Sequence, residues 1–479
     1  MRIDPERPRR SAGPPARRSG RTGCRHDGRR VTLRLVPLPL ALRDALFPPA
    51  VLGVLARLSA AGHRSWVVGG AVRDLLLRRP RHGLDFDLAT PAEPAQVMAL
   101  FPRVIPTGLE HGTVTILMPG KLKVEVTTFR GEGAYADGRR PGSVTFHTDL
   151  AADLARRDFT INAMAYDPLA RELADPQGGQ RDLKARLIRA VGEAGARFGE
   201  DGLRPLRAVR FAGQLGFRLD PTTRDAIRGA LPVVRLVSRE RMAEELGRLA
   251  VSPHVARAFE LLAVTGLLEV LAPPLAALPR ARLRHLGAVA AALGGQPPDL
   301  VLRLTALLHA APVSGLEALL AGLRFPKRVA AEVAALAARH ACLRQDGAED
   351  PVTPPVVRRW LAGIGPGRAE ALLALRDAEV AALPRGRREV AAAAARRLRT
   401  RVVAALGSGA PLETAALALD GRALMALLGC PPGPHVGEGL RALLDLALDE
   451  PERNTADGLA GPARAWWASR GARMAAGPG

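Results

Sequence analysis

Between Val67 and Thr90 the sequence reads Val67-Val68-Gly69-Gly70-Ala71-Val72-Arg73-Asp74, passes through a short apolar stretch, and emerges as Leu84-Asp85-Phe86-Asp87-Leu88-Ala89-Thr90. An apolar run that enters paired glycines reads as a buried strand feeding a tight turn, and Ala71 to Leu77 have helix-forming composition. Such a turn suits a phosphate. Gly69 and Gly70 let backbone N–H groups approach an anion, the helix start adds the positive end of its dipole, and Arg73 offers a charged fork.

The second half alternates, with Leu84, Phe86 and Leu88 apolar and Asp85 and Asp87 acidic. In a strand of period two both carboxylates leave one face, with roughly 6 to 7 Å between their Cα atoms. Like charges so placed repel, and a divalent cation relieves them, since Mg²⁺ takes carboxylate oxygens at about 2.1 Å and shares its shell with phosphates. An isolated Asp-x-Asp is also what a polar strand face looks like. The Gly-Gly turn one helix upstream tips the balance toward a metal and phosphate site.

This string resembles the signature of the DNA polymerase beta nucleotidyltransferase superfamily, and its Gly-Gly-x-Val-Arg-Asp form is similar to class II tRNA nucleotidyltransferases and bacterial poly(A) polymerases. Further motifs follow in the family's order. The segment Asp153-Leu154-Ala155-Arg156-Arg157-Asp158-Phe159-Thr160-Ile161-Asn162-Ala163-Met164-Ala165 resembles the second motif, in which Arg157 neutralises triphosphate charge and Asp158 and Asn162 bond a ribose hydroxyl. Glu200-Asp201-Gly202-Leu203-Arg204 resembles the nucleotide-selecting motif Glu-Asp-x-x-Arg, with Gly202 and Leu203 in the free positions; this implies base selection by Asp201 and Arg204, supported by Arg207 and Arg210. The segment from Ser238 to Leu246, with Glu240 and Arg241, resembles the last motif, a helix that supports the selector.

Around these motifs, Leu52 to Leu58 and Pro94 to Phe101 read as helices, and Thr113 to Met118 and Lys121 to Phe129 as paired strands joined at Pro119-Gly120. In Val124-Glu125-Val126 the pattern is apolar, acid, apolar, and pairing with the aspartate strand makes Glu125 the third carboxylate of the site; period two alone also produces exposed strand residues of this kind. The loop from Gly131 to Arg140 is too polar and glycine-rich to pack and is expected to be mobile.

The resemblance implies an α+β fold: a small mixed-sheet nucleotidyltransferase head followed by an all-α neck, body and tail. Composition shifts divide the 479 residues into an arginine-rich, disordered arm at 1–31, the head at 32–175, the neck at 176–250, the body at 251–380 and the tail at 381–479. The body resembles a degenerate HD phosphohydrolase fold. His285 and His309 stand where such domains carry metal ligands, but the aspartate expected after the second histidine is Ala310, so both histidines are expected to be structural, without a metal site or phosphohydrolase activity.

A net charge of +22, almost all of it arginine, suits a polyanionic partner, although a GC-rich genome produces the same bias. Cys24, Cys342 and Cys430 are too scattered for a disulfide framework or a zinc site, and no apolar run reaches membrane-spanning length. A soluble cytoplasmic protein, not bound to a membrane, is expected. The resemblance implies a template-independent enzyme that adds CCA to the 3′ end of tRNA from CTP and ATP with two Mg²⁺ ions. The string from Thr107 to Val114 looks more like the CCA-adding enzymes than like a poly(A) polymerase, which shares the head motifs. The same motifs also suit a partial enzyme that adds only A or only CC, and the basic charge alone would suit a non-catalytic RNA-binding protein.

Overall fold

A computed structural model of the chain describes residues 23–26, 29–32, 35–43, 47–79, 85–131, 145–146, 149–294, 298–340 and 353–475. The loop expected to be mobile, from residue 132 onward, lies outside them. The chain divides into two compact units, residues 1–200 and 201–479. The first is a mixed sheet with flanking helices and the second is almost wholly helical, so the fold is α+β.

In the first unit the central sheet contains β1 (Leu35–Val36), β2 (Trp66–Val68), β3 (Asp85–Thr90), β4 (Val104–Gly108), β5 (Thr113–Leu117), β6 (Lys123–Thr128), β7 (Ala165–Asp167) and β8 (Glu172–Ala174), in the spatial order β1-β8-β7-β2-β3-β6-β5-β4. All neighbours are antiparallel except β3 and β6. Parallel pairing needs a crossover. Here the chain supplies it through the helix Pro94–Leu100 and the hairpin of β4 and β5, joined to β6 at Gly120, whose φ of 73° suits glycine.

The alternation read from the sequence appears in burial: Phe86, Leu88, Val124 and Val126 face the core, while Asp87 and Glu125 are exposed. Val51, Val54, Leu55 and Leu58 of the helix Pro49–Ala60 are fully buried, at the i, i+3, i+4, i+7 spacing of an amphipathic helix. Within the arm expected to lack structure, Gly23–His26 pairs antiparallel with Arg29–Thr32. In that pair Cys24 stands opposite Val31.

The second unit carries its helices on recognisable punctuation. Asp220, Asp299 and Asp420 accept backbone N–H groups as N-caps, and Gly216, Gly266 and Gly429 end helices in the left-handed conformation. Arg358 donates to the carbonyls of Leu448 (2.6 Å) and Asp449 (3.0 Å), satisfying the end of the helix Pro434–Asp449 with a cation where the dipole favours one. Among the described residues no helix is long and apolar enough to cross a membrane.

Candidate active site

The site is built where β2 runs into the helix Gly70–Leu76. Gly69 caps that helix with φ 69°, in the left-handed region that glycine adopts without strain. A Cβ at Gly69 would lie 3.2 Å from Arg157 Nη1 and 3.7 Å from Asp87 Oδ2. Three segments far apart in sequence, the glycine turn, the acidic strand and the second motif, therefore meet within a few ångströms.

Register brings the carboxylates together. Asp87 is the direct Cα partner of Glu125 across the parallel pair β3 and β6, and Asp85 is the partner of Lys123. Adjacent strands are about 4.8 Å apart, so Asp87 and Glu125 stand side by side on the exposed face, a like-charge pairing that disfavours the strand contact unless a cation offsets it. For Asp85 only the backbone is described, and its place two residues before Asp87 puts it on the same strand face.

Arg73 differs from the sequence expectation. It is buried, and its Nε and Nη2 fork is engaged by Asp74 at 2.9 and 3.0 Å rather than offered outward. Its Nη1 donates to Asn162 Oδ1 at 2.8 Å, and Asn162 Nδ2 in turn donates to Asp158 Oδ1 at 3.1 Å. An acidic neighbour one residue along captures the fork, and Arg73 becomes the group that orients Asn162. Phe159 N also donates to Asp158 Oδ1, at 2.8 Å.

Asp153 is a residue that the motif reading passed over. Its carboxylate is 1% exposed, accepts Arg156 at 2.6 Å and Arg157 Nη2 at 3.1 Å, and so fixes the arginine beside Gly69. Burial pushes this carboxyl up, but the two guanidinium groups and their hydrogen bonds outweigh it and hold it at about 2. The i, i+3 and i, i+4 spacings of Asp153 to Arg156 and Arg157 were visible in the sequence. Arg157 Nε is buried without a hydrogen-bond partner, a donor that a bound anion would satisfy.

In the helical unit, Asp201 precedes helix α1 (Arg204–Leu215), and helix α2 (Arg239–Ala250) packs beside it. Asp201 Oδ1 accepts Leu203 N at 3.0 Å, and Oδ2 accepts Arg241 Nη2 at 3.1 Å. Arg204 lies at the first position of the helix, half-buried. Gly202 is not a free position: a Cβ there would meet the Val233 carbonyl oxygen at 2.4 Å and Val237 Cγ2 at 2.9 Å. Arg210 is buried against Glu245 (2.5 Å) and Gln214 (2.6 Å), Arg207 lies over the Phe211 ring, and Glu240 faces Arg324 at the surface. Arg241 thus touches the selector motif, whereas Arg210 joins α1 to α2 from within.

The body brings together three donors that no motif of the sequence joins. His309, His340 and Glu379 come together, with donor atoms within 4.8 Å of one another, and His285 is not among them. Burial, followed by the neighbouring His340, holds the His309 imidazole down at about 4. The aspartate missing at Ala310 is no guide here, because the acid comes from a later helix.

The mixed sheet, the glycine turn and the carboxylates on paired strands make up the part of the chain that matches a family model. The sequence profile described as "Poly A polymerase head domain" matches residues 65–189, and "Probable RNA and SrmB- binding site of polymerase A" matches residues 216–278. The CCA-adding enzyme of Geobacillus kaustophilus (strain HTA426) is 39% identical over 397 residues, 82% of this chain and 90% of that protein. The chain belongs to the family of class II CCA-adding enzymes. The CCA-adding enzyme of Geobacillus thermodenitrificans (strain NG80-2) is 51% identical over 216 residues, 45% of this chain; the match spans 52% of that relative's length. Among solved structures, the Bacillus stearothermophilus CCA-adding enzyme in complex with CTP has a TM-score of 0.71 and 34% identity, covering 89% of this chain and 100% of that one. The Thermotoga maritima CCA-adding enzyme complexed with tRNA_CCA shares the fold, with a TM-score of 0.62 at 19% identity over 90% of this chain and 99% of that one.

Proposed function

We propose that the chain is a template-independent tRNA nucleotidyltransferase that builds the CCA end of tRNA from CTP and ATP. The observation that carries this reading is the meeting of Gly69, Asp87 and Arg157, within 3.2 to 3.7 Å of a single Cβ position, in a chain of this family. The B. stearothermophilus relative solved with CTP supports the nucleotide substrate. The T. maritima relative, solved with tRNA_CCA, shares the fold alone at 19% identity.

Asp85, Asp87 and Glu125 are all hard oxygen donors on neighbouring strands, which fits Mg²⁺ better than a softer ion. Two bound Mg²⁺ ions would activate the primer hydroxyl and offset triphosphate charge as pyrophosphate leaves. The protein's own groups do the rest. Gly69 and Gly70 leave room for the phosphates, Arg157 held by Asp153 neutralises their charge, and Asp158 with Asn162 bonds the ribose while Arg73 orients Asn162. Arg241 holds Asp201, so that Asp201 accepts and Arg204 donates at the base edge. Cytosine and adenine both present an amino donor beside an accepting ring nitrogen, whereas uracil and guanine present a carbonyl beside a ring N–H. An acceptor and donor pair therefore admits the first two and opposes the second two. In this reading the head spans 32–175, the neck 176–250, the body 251–380 and a tRNA-gripping tail 381–479, in a cytoplasmic protein.

The test is incubation of the full chain with tRNA lacking its CCA end, Mg²⁺ and each labelled nucleotide in turn. CTP alone should give two additions, and CTP with ATP three. Long adenylate tails would make the chain a poly(A) polymerase, A or CC alone a partial enzyme, and no incorporation an RNA-binding protein.

A further inference from the structure

Nucleotidyl transfer in the head uses none of the buried donors of the body. His309 caps the C-terminus of helix α3 (Leu300–Leu308), His340 caps helix α4 (Lys327–Arg339), and Glu379 lies on helix α5 (Ala369–Ala381). In both histidines Nδ1 lies on the carbonyl three residues earlier, 2.9 Å from Ala306 O and 2.6 Å from Ala337 O. A carbonyl only accepts, so Nδ1 carries the proton in each ring and Nε2 presents a lone pair. Both Nε2 atoms approach one carboxylate oxygen, Glu379 Oε1, at 3.6 Å from His309 and 3.9 Å from His340. These distances are too long for hydrogen bonds. The His309 side chain is wholly buried, and its Nε2 has no hydrogen-bond partner.

His309 Nε2 is thus a buried lone pair without a donor, beside a second imidazole nitrogen and a carboxylate oxygen, and a bound cation would satisfy it. The geometry points to a divalent transition-metal site in which His309, His340 and Glu379 bind one ion of the zinc class and clamp α3, α4 and α5 together. Neighbouring ligands of a tetrahedral zinc ion are about 3.3 Å apart for bonds near 2.0 Å, so the two histidine-to-Glu379 separations, 3.6 and 3.9 Å, would close by a few tenths of an ångström. Two imidazoles exclude Mg²⁺ as the preferred ion. The two Nδ1 atoms are each held by a carbonyl, and Arg376 Nη1 stands 3.5 Å from Glu379 Oε2 as an ion-pair neighbour without a hydrogen bond. Outer partners of this kind orient metal ligands. The set is not the histidine and aspartate pair that the sequence lacks at Ala310, and it stands independently of the nucleotidyl-transfer reading.

The experiment is titration of the full chain with Co²⁺ and then Zn²⁺ in the presence of millimolar Mg²⁺, which occupies the head carboxylates. Wild type should take up one equivalent of Co²⁺ with visible ligand-field absorption, lose it to Zn²⁺, and melt at a higher temperature with Zn²⁺ than after chelation. His309→Gln, His340→Gln and Glu379→Gln, each shown folded by circular dichroism, should lose the absorption and the melting shift. If a variant does not fold, X-ray absorption at the zinc edge of wild type decides, with two imidazoles and one carboxylate expected. No stoichiometric uptake by folded wild type, uptake unchanged in the folded variants, or a different ligand set at the zinc edge would overturn the site, and the three side chains would be a structural triad.

Discussion

Asp153→Asn separates the arginine beside Gly69 from its anchor without altering side-chain size. Asp153 is 1% exposed, and its carboxyl is held at about 2 against an ordinary value of 3.8. A depressed carboxyl contributes stability that is present above the unfolded value, near 3.8, and is lost as pH falls through the folded value, near 2. At about 1.4 kcal/mol per pH unit the interaction contributes about 2 kcal/mol at neutral pH. The variant's head should therefore lose about that much unfolding free energy in urea at pH 7, and the difference from wild type should shrink as the pH is lowered through the window between the two values. Pulsed hydrogen exchange of residues 149–165 during urea titration reads this unit alone. In turnover, a loosened Arg157 should raise KM for CTP and ATP together and lower both kcat/KM values by about tenfold, equivalent to about 1.4 kcal/mol. Wild-type urea midpoints with unchanged KM for both nucleotides would refute the anchoring role.

Asp87→Ala should lower single-turnover addition of C and of A alike by on the order of a thousandfold, as expected for a metal-holding carboxylate, while tRNA binding measured by filter retention stays near wild type; near-normal rates would remove Asp87 from the chemistry. Arg204→Ala should narrow the gap between CTP and UTP, and between ATP and GTP, by about 1 to 3 kcal/mol in kcat/KM; unchanged selectivity at a reduced rate would make Asp201 and Arg204 an ordinary surface pair. Gly202→Ala must push a methyl group against the Val233 carbonyl, 2.4 Å away, and should destabilise the helical unit by about 1 to 3 kcal/mol in thermal unfolding; an unchanged melting temperature would show that the contact relaxes freely.

Local pattern carried much of the head. Phe86 and Leu88 alternate with aspartates, and Val124 and Val126 flank Glu125, so both strands and the faces they bury followed from period two alone, and pairing them brought Glu125 opposite Asp87. What local pattern does not contain is the partner of a long side chain. Arg73 and Asn162 are 89 residues apart, and nothing around Arg73 reports that its Nη1 reaches Asn162. Asp153 was legible in principle from its helical spacing to two arginines, but an ion pair at that spacing is common on solvated surfaces, and only burial distinguishes this one. Gly202 reads as interchangeable in a motif, yet its lack of a side chain is required by the backbone at Val233, well beyond the motif in sequence. The body shows the same limit, since His309, His340 and Glu379 come from three separate helices and match no short spacing pattern.

We propose that this chain, without a nucleic-acid template, adds two cytidines and one adenosine to tRNA and then stops. The most direct measurement is the mass of a tRNA transcript ending at its discriminator base after incubation with the full chain, Mg²⁺ and all four nucleoside triphosphates. The expected product is heavier by two cytidylates and one adenylate and no longer, and is absent with Asp87→Ala. A product containing uridylate or guanylate, or one that keeps growing with adenylate, would contradict it.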